Sequence, residues 1–224
     1  MARPIQRLAS IAEGQWGLVT RRQAEGAGVG NTSLARLVSD GRLGRVAHGV
    51  YRVRGAGAPD HLDLRAAWLQ LAPETPAWDR LSGPDVAVVS HASAASLYEV
   101  GDLRADAHEF TLARRRQTRR RDVRLHRGVV AAEDRTILAG LPATRAGRVV
   151  ADLLADHVEP GAVGRIAAEI IDGAIEYPEE IAKRIAPYAI RFGLPDGDGQ
   201  ALLEHLLAIG GHERQATGPL AEGS

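Results

Sequence analysis

Arginines are the side chains whose type and spacing could do chemistry in this sequence. Of its 28 basic residues, Lys183 is the single lysine. Arginines are concentrated in two stretches, residues 21–54 and residues 114–127. A guanidinium group keeps its charge and donates paired hydrogen bonds to phosphates and to guanine edges. Both stretches therefore predict contacts with an anionic partner.

The first stretch places polar side chains on the outer face of a predicted helix that runs from about residue 31 to residue 40. Leu34, Leu37 and Val38 repeat at helical spacing and form its inner face. The first residues of such a helix reach base edges in the major groove, and Arg36 suits guanine. Arginines on either side suit phosphates. The predicted DNA contacts are Arg21, Arg22, Asn31, Thr32, Ser33, Arg36, Arg42, Arg45, His48 and Arg52.

The second stretch is denser. Eight arginines fall within residues 114–127, and Asp122 is the only acid among them. Because the stretch lies between two predicted strands, we expect a hairpin loop that projects from a second domain. A solvated loop, a second DNA or RNA contact and a dock for an acidic partner all remain open. The residues concerned are Arg114, Arg115, Arg116, Arg119, Arg120 and Arg121.

Other residues that could do chemistry lack the required spacing. Ser90 and His91 are adjacent at a helix start, so they point in different directions and make no nucleophile–base pair; Ser90 is better read as an N-cap. Nucleases commonly carry a lysine two residues after an acid, but Ile181 precedes Lys183 at that distance. Cysteine is absent, which excludes disulfides and cysteine-based metal sites. We predict no catalytic residue, metal site or cofactor, and a protein that is not an enzyme.

The elements that position the first stretch follow one another closely. A helix over about residues 5–13 comes first, and Thr20 with Gln23 fits a capping box that opens a second, short helix. Gly26 and Gly28 break it, and Asn31, Thr32 or Ser33 can cap the third helix. Strands at 45–46 and 50–53 then form a hairpin. This order predicts a winged helix-turn-helix.

The remaining chain predicts short strands first and helices last. The strands are expected at 86–89, 109–112, 123–126 and 137–138, with a turn at 140–142 and Thr144 as the cap of the next helix. Helices are expected at 60–71, 90–98, 144–154, 161–175, 178–190 and 198–209. The predicted fold class is α+β, an N-terminal winged helix-turn-helix followed by a mixed α/β domain that ends in helices. The expected domains are 1–56 and 60–210, and 211–224 is an expected disordered tail.

Charge is distributed unevenly along the chain although the net charge is zero. Residues 1–54 hold nine arginines and three acids, a net charge of +6, whereas residues 133–224 carry −7. This asymmetry favours an anionic partner at the N-terminal end. The sequence has no apolar run of membrane-spanning length and no signal-peptide pattern, so we expect a cytoplasmic protein with no membrane partner.

Several short motifs resemble the AbiEi-family antitoxins of bacterial type IV toxin–antitoxin systems. They lie in the winged-helix part, around residues 21–52, in Val89-Ser90-His91-Ala92-Ser93-Ala94-Ala95 and in Gly140-Leu141-Pro142-Ala143-Thr144-Arg145. The resemblance implies a repressor that binds double-stranded DNA at its own promoter, at inverted repeats. It also implies a partner, a nucleotidyltransferase-like toxin that the protein neutralises. Two alternatives stay open: a diverged winged-helix endonuclease relative, and a stand-alone regulator without a toxin.

Overall fold

A computed structural model describes residues 3–83, 85–104 and 106–211. Contacts group the chain into two units, Met1–Val89 with Asp106–Ala143, and Ser90–Ala105 with Thr144–Ser224. The α+β class is confirmed. The predicted domain bounds 1–56 and 60–210 stay a prediction, and the predicted tail lies, apart from Gly211, outside the described residues.

The first unit begins with a small helical core closed by a hairpin. Its elements are α1 (Pro4–Glu13), β1 (Leu18–Thr20), α2 (Arg21–Gly26), α3 (Asn31–Ser39), β2 (Leu43–Ala47) and β3 (Val50–Val53). Leu8, Val19 and Leu34, from three of these elements, meet in one buried cluster. Each such buried side chain stabilises the fold by about 1.5–3 kcal/mol. The strand β1 was not predicted, because three residues are too few to show an alternating pattern.

The three N-terminal strands form an antiparallel sheet in the order β1-β3-β2. Tyr51 and Val53 pack against the helical core. Neighbouring residues of a strand face opposite sides of the sheet, so Val50 faces away from this core, and it is nevertheless completely buried. The helix α4 (Leu62–Gln70) contacts all three strands. The sheet is therefore covered on both faces.

A second sheet of the first unit has the strand order β6-β5-β4-β8-β7. Its strands are β4 (Val88–Val89), β5 (His108–Leu112), β6 (Val123–Arg127), β7 (Arg135–Leu138) and β8 (Leu141–Thr144), and 3₁₀ turns occupy Ala77–Arg80 and Ala132–Asp134. β5 and β6 run parallel, with His108 opposite Val123. The predicted hairpin between them is therefore wrong, because strands joined by a hairpin are antiparallel.

The segment after β7 also differs from its prediction. The turn lies at Ala139 and Gly140, and Leu141–Thr144 form β8 instead of continuing the turn. All four residues of β8 are buried, and Ala143 pairs with Val89 of β4. Burial in the sheet outweighs the turn preference of proline. Thr144 consequently ends a strand and does not cap the next helix, whose N-cap is Arg145.

The second unit is helical. It comprises α5 (His91–Leu97), α6 (Ala146–Ala155), α7 (Pro160–Asp172), α8 (Pro178–Ile185) with a following 3₁₀ segment (Ala186–Phe192), and α9 (Gly199–Ile209). Gly164 of α7 lies against the Leu206 carbonyl of α9, where an added Cβ would overlap the backbone. Across the residues described, none of the helices combines the length and apolar character needed to cross a membrane.

Candidate nucleic-acid interface

The start of α2 is fixed by local hydrogen bonds that the sequence predicts. The backbone N–H of Gln23 donates to Thr20 Oγ1 at 3.1 Å, and the Thr20 N–H donates to Gln23 Oε1 at 2.9 Å. The capping box is therefore confirmed. The N–H of Arg21 also donates to the Gly49 carbonyl at 2.8 Å. This bond ties the turn of the β2–β3 hairpin to the first residue of α2.

The helix α3 presents the polar face that its spacing predicts. Asn31, Thr32 and Arg36 are exposed, and Ser33 is half-buried. The predicted cap is wrong: Asn31, Thr32 and Ser33 all belong to the helix, and its N-cap is Gly30, which provides no side-chain cap. The first N–H that the helix itself binds is that of Leu34, on the Gly30 carbonyl. The N–H groups before it lie at the positive end of the helix dipole.

The two arginines of the hairpin lie on different faces of the sheet. Arg45 pairs with Tyr51 across the strands and so shares its face with the helical core. Arg52 pairs with Gly44 and lies on the opposite face, half-buried beside a cleft that Arg45, Leu62 and Asp63 also line. Arg45 is exposed, as is His48, whose Nδ1 lies 3.2 Å from Arg45 Nη2.

Carboxylates neutralise some of the predicted DNA contacts. Glu25 lies 2.8 Å from Arg21 Nε and 3.5 Å from Arg22 Nη1. The hydrogen bond from Arg21 lowers the pKa of Glu25, and the same bond raises the pKa of Arg21. Among the predicted DNA contacts, and over the described ranges, Arg36, Arg42, Arg45 and Arg52 form no ion pair. Arg52 is half-buried, so the exposed charge that remains available to an anion lies on Arg36, Arg42 and Arg45.

Residues 113–122, which we call the arginine segment, connect the parallel strands β5 and β6. Arg114 lies 3.0 Å from Asp85, and Arg120 binds Asp122. The other members form no ion pair with any acid that the structure describes; they are Arg115, Arg116, Arg119 and Arg121. All six predicted residues thus occur on one connection, which returns along the sheet instead of forming a hairpin.

One side chain joins the hairpin to the arginine segment. Gln70, the last residue of α4, donates from Nε2 to the His48 carbonyl at 2.7 Å. Its Oε1 accepts a hydrogen bond from Arg120 Nη1, also at 2.7 Å. The sequence does not predict a role for Gln70, since a polar residue at the end of a helix carries no signal of its own.

The Ser90 and His91 pair is buried in the second unit. Ser90 Oγ lies 2.9 Å from His91 Nδ1, so the prediction that these two side chains point in different directions is wrong. His91 Nε2 lies 4.0 Å from Asp156 Oδ1. Ser90 occupies the N-cap position, but its side chain makes no cap hydrogen bond. Neither Ser90 nor His91 is presented to a substrate, because Ser90 is 0% and His91 6% exposed.

A comparison with protein families bears on this N-terminal region. Residues 6–54 match the family model described as "Transcriptional regulator, AbiEi antitoxin". The resemblance to AbiEi antitoxins is confirmed there. The AbiEi match begins inside α1 and ends one residue after β3, so it includes α3 and the hairpin. This match supports a role as a transcriptional regulator or antitoxin. The family itself is one of regulators and not of enzymes, and the match covers residues 6–54. No curated protein matches the chain.

Proposed function

We propose that this protein is a DNA-binding transcriptional regulator that represses its own promoter, and that it acts as the antitoxin of a type IV system. The observation that carries the DNA-binding part is the exposed polar face of α3, with Arg36 unpaired, beside the hairpin that holds Arg45. This arrangement lies within the residues that match the AbiEi model.

Each element of this region has a distinct role in the proposed complex. The helix α3 enters the major groove, where Arg36 donates two hydrogen bonds to a guanine. The hairpin acts as the wing, and Arg45 and His48 contact phosphates. Arg42, Asn31 and Thr32 contact the DNA backbone beside the groove, and these contacts position the protein on the duplex. Arg21 and Arg22 contribute less because Glu25 already pairs with them.

Fluorescence anisotropy with the promoter duplex and a scrambled duplex tests these roles. Arg36→Ala should cost about 1–3 kcal/mol on the promoter site and reduce the preference for it, whereas Arg45→Ala should weaken both duplexes alike. Arg165→Ala is the control, since Arg165 is an exposed arginine of α7 in the other unit. Wild-type affinity in both variants would contradict the proposal, and identical losses would contradict the assignment of roles.

The antitoxin part of the proposal is supported by the family description of residues 6–54. We propose as its partner a nucleotidyltransferase-like toxin encoded by a neighbouring gene. Repression of the promoter and neutralisation of the toxin should then be separable, because α3 is used for DNA binding. The larger part of the chain, after residue 60, is available for the toxin.

Co-expression with the toxin tests this separation in the full-length chain. The Arg36→Ala variant should restore growth as well as the wild type does, while a reporter under the promoter becomes derepressed. Loss of both activities in this variant would contradict the separation. A neighbouring gene that is not toxic would leave a stand-alone regulator as the correct description.

A further inference from the structure

A cleft of about 470 Å³ lies within the first unit, between residues 72–87 and the arginine segment. Its volume falls in the range of about 300–1,000 Å³ that is usual for small-molecule sites. Arg80, Arg114, Arg115 and Arg116 line it, together with the hydroxyl-bearing Thr75 and Ser82. The cleft thus combines the size of a ligand site with donors that suit an anion.

Arg80 forms the buried part of this lining. Its guanidinium lies 3.9 Å from the centre of the Trp68 ring, Nη2 donates to the Trp68 carbonyl at 3.0 Å, and Nη1 donates to the Ala72 carbonyl at 3.4 Å. Burial, and after it the charge of Arg116, lowers the pKa of Arg80 from 12.5 to about 10. Arg80 and Arg116 both line the cleft, so the two cations repel each other, and an anion bound beside them would reduce this repulsion.

The charges of the lining do not balance. Four arginines face two acids, Asp79 and Asp85, and Asp85 already pairs with Arg114. The net charge of the lining is +2, which matches the charge of about −2 on a phosphate group near neutral pH. Arginine is the side chain best suited to phosphate oxygens because its donors form a planar fork.

We propose that this cleft binds the phosphate groups of a small phosphorylated metabolite, with Arg80 and Arg116 as its principal ligands, and that this binding regulates the attachment of α3 to DNA. A small ligand is favoured over the DNA backbone by the position of Arg80. Arg80 as a residue is 9% exposed and lies within a concave site. Duplex phosphates lie on a convex surface and meet protruding side chains.

The route from the cleft to the helices is a set of hydrogen bonds. The strip of chain that lines the cleft begins at Ala72, and three of its residues bond to buried side chains of the N-terminal region. Thr20 Oγ1 donates to the Pro73 carbonyl, and Gln23 Nε2 donates to the Thr75 carbonyl at 3.1 Å. The Ala77 N–H donates to Gln15 Oε1 at 3.2 Å.

These bonds join the cleft lining to the first turn of α2. Gln15 and Gln23 also bind each other, with Gln15 Nε2 donating to Gln23 Oε1 at 2.6 Å. A ligand that moves residues 72–83 would therefore move α2 and, with it, α3. This regulatory step rests on the proposed function, whereas the binding site itself does not.

Isothermal titration calorimetry of the full-length protein with inorganic pyrophosphate, without magnesium and at constant ionic strength, tests the site. We expect one pyrophosphate per chain. Arg116→Ser should lower its affinity about tenfold, as expected for the loss of a charge-assisted hydrogen bond. Arg119→Ser is the matched control, since Arg119 is an exposed arginine of the same segment that does not line the cleft. This control should bind pyrophosphate like the wild type.

Three results would overturn the site: no pyrophosphate binding to the wild type, equal losses in the two variants, or a loss of DNA affinity in Arg116→Ser with no loss for pyrophosphate. A second titration measures DNA affinity with and without saturating pyrophosphate, and we expect a change of about fivefold. Unchanged DNA affinity would overturn the regulation but leave the site. Pyrophosphate binding by a protein that binds no DNA would instead overturn the proposed function.

Discussion

The two arginine-rich parts of the chain are held in place by different kinds of structure. Arg36 and Arg45 lie on a helix and a hairpin whose inner faces contribute to one buried cluster. The arginine segment has no such inner face. It is a connection between parallel strands, held by individual polar contacts such as those of Arg114 with Asp85 and of Arg120 with Gln70.

This difference separates two ways of using the same side chain. A rigid element fixes the direction of an arginine, as base recognition requires. A connection held by a few polar contacts fixes direction less firmly, but it can line a concave site. The first arrangement suits DNA, and the second suits a small anion whose own charge orders the arginines around it.

The largest expected effect is on the free energy of unfolding, and it concerns the buried cluster under α3 and the hairpin. The arginine segment has no such cluster. Leu34 is 2% exposed, and Leu34→Ala should lower the free energy of unfolding by about 2–5 kcal/mol because it leaves a cavity under α3. Arg119→Ala in the arginine segment should change it by less than about 0.5 kcal/mol. Urea unfolding measures both. A cost below about 1 kcal/mol for Leu34→Ala would show that α3 is not held by its core.

A smaller effect distinguishes the two faces of the hairpin. Arg45→Ala should reduce the log–log salt dependence of DNA affinity by about 0.9, the contribution of one phosphate contact. Arg52→Ala should leave this slope unchanged because Arg52 lies on the sheet face opposite the helical core. Arg121→Ala is the matched variant in the arginine segment, and it should leave the slope unchanged. A reduced slope for Arg121→Ala would mean that the segment, too, lies on the DNA surface.

The sequence could predict those features that depend on neighbours in the chain. The Thr20 and Gln23 capping box, the outer face of α3 and the β2–β3 hairpin all follow from spacings of three or four residues, or from a two-residue turn. These spacings fix which side chains face the same way. Residues of the candidate interface could therefore be proposed from the sequence, and on α3 their burial follows the helical period.

Features that depend on distant pairing could not be predicted. Two short strands around an arginine stretch are compatible with either orientation, and the parallel pairing of β5 with β6 changes the position of every arginine between them. The bonds from Thr20 and Gln23 to residues 73 and 75 span more than fifty residues. No local pattern marks the partner of such a bond, so the cleft could not be expected.

The smallest expected effect concerns the ion pair that anchors the arginine segment. The hydrogen bond from Arg120, which donates from Nε to Asp122 Oδ1 at 2.9 Å, lowers the pKa of Asp122 from 3.8 to about 2. A carboxyl whose pKa is lower in the folded state stabilises the fold above its unfolded pKa, and this stabilisation is lost as the pH falls through the folded value. Since the Asp122 side chain is 51% exposed, solvent screening limits the contribution to less than about 1 kcal/mol.

An NMR titration of the Asp122 carboxyl carbon measures this pKa directly. Its midpoint should lie near 2 in the wild type and return towards 3.8 in Arg120→Gln, because the neutral amide removes the charge of the donor. The stability difference between wild type and Asp122→Asn should shrink by roughly half between pH 6 and pH 3. A wild-type midpoint near 3.8 would mean that the pair does not form in solution. The arginine segment would then lose its one internal ion pair and, with it, a contact that holds Arg120 beside Gln70.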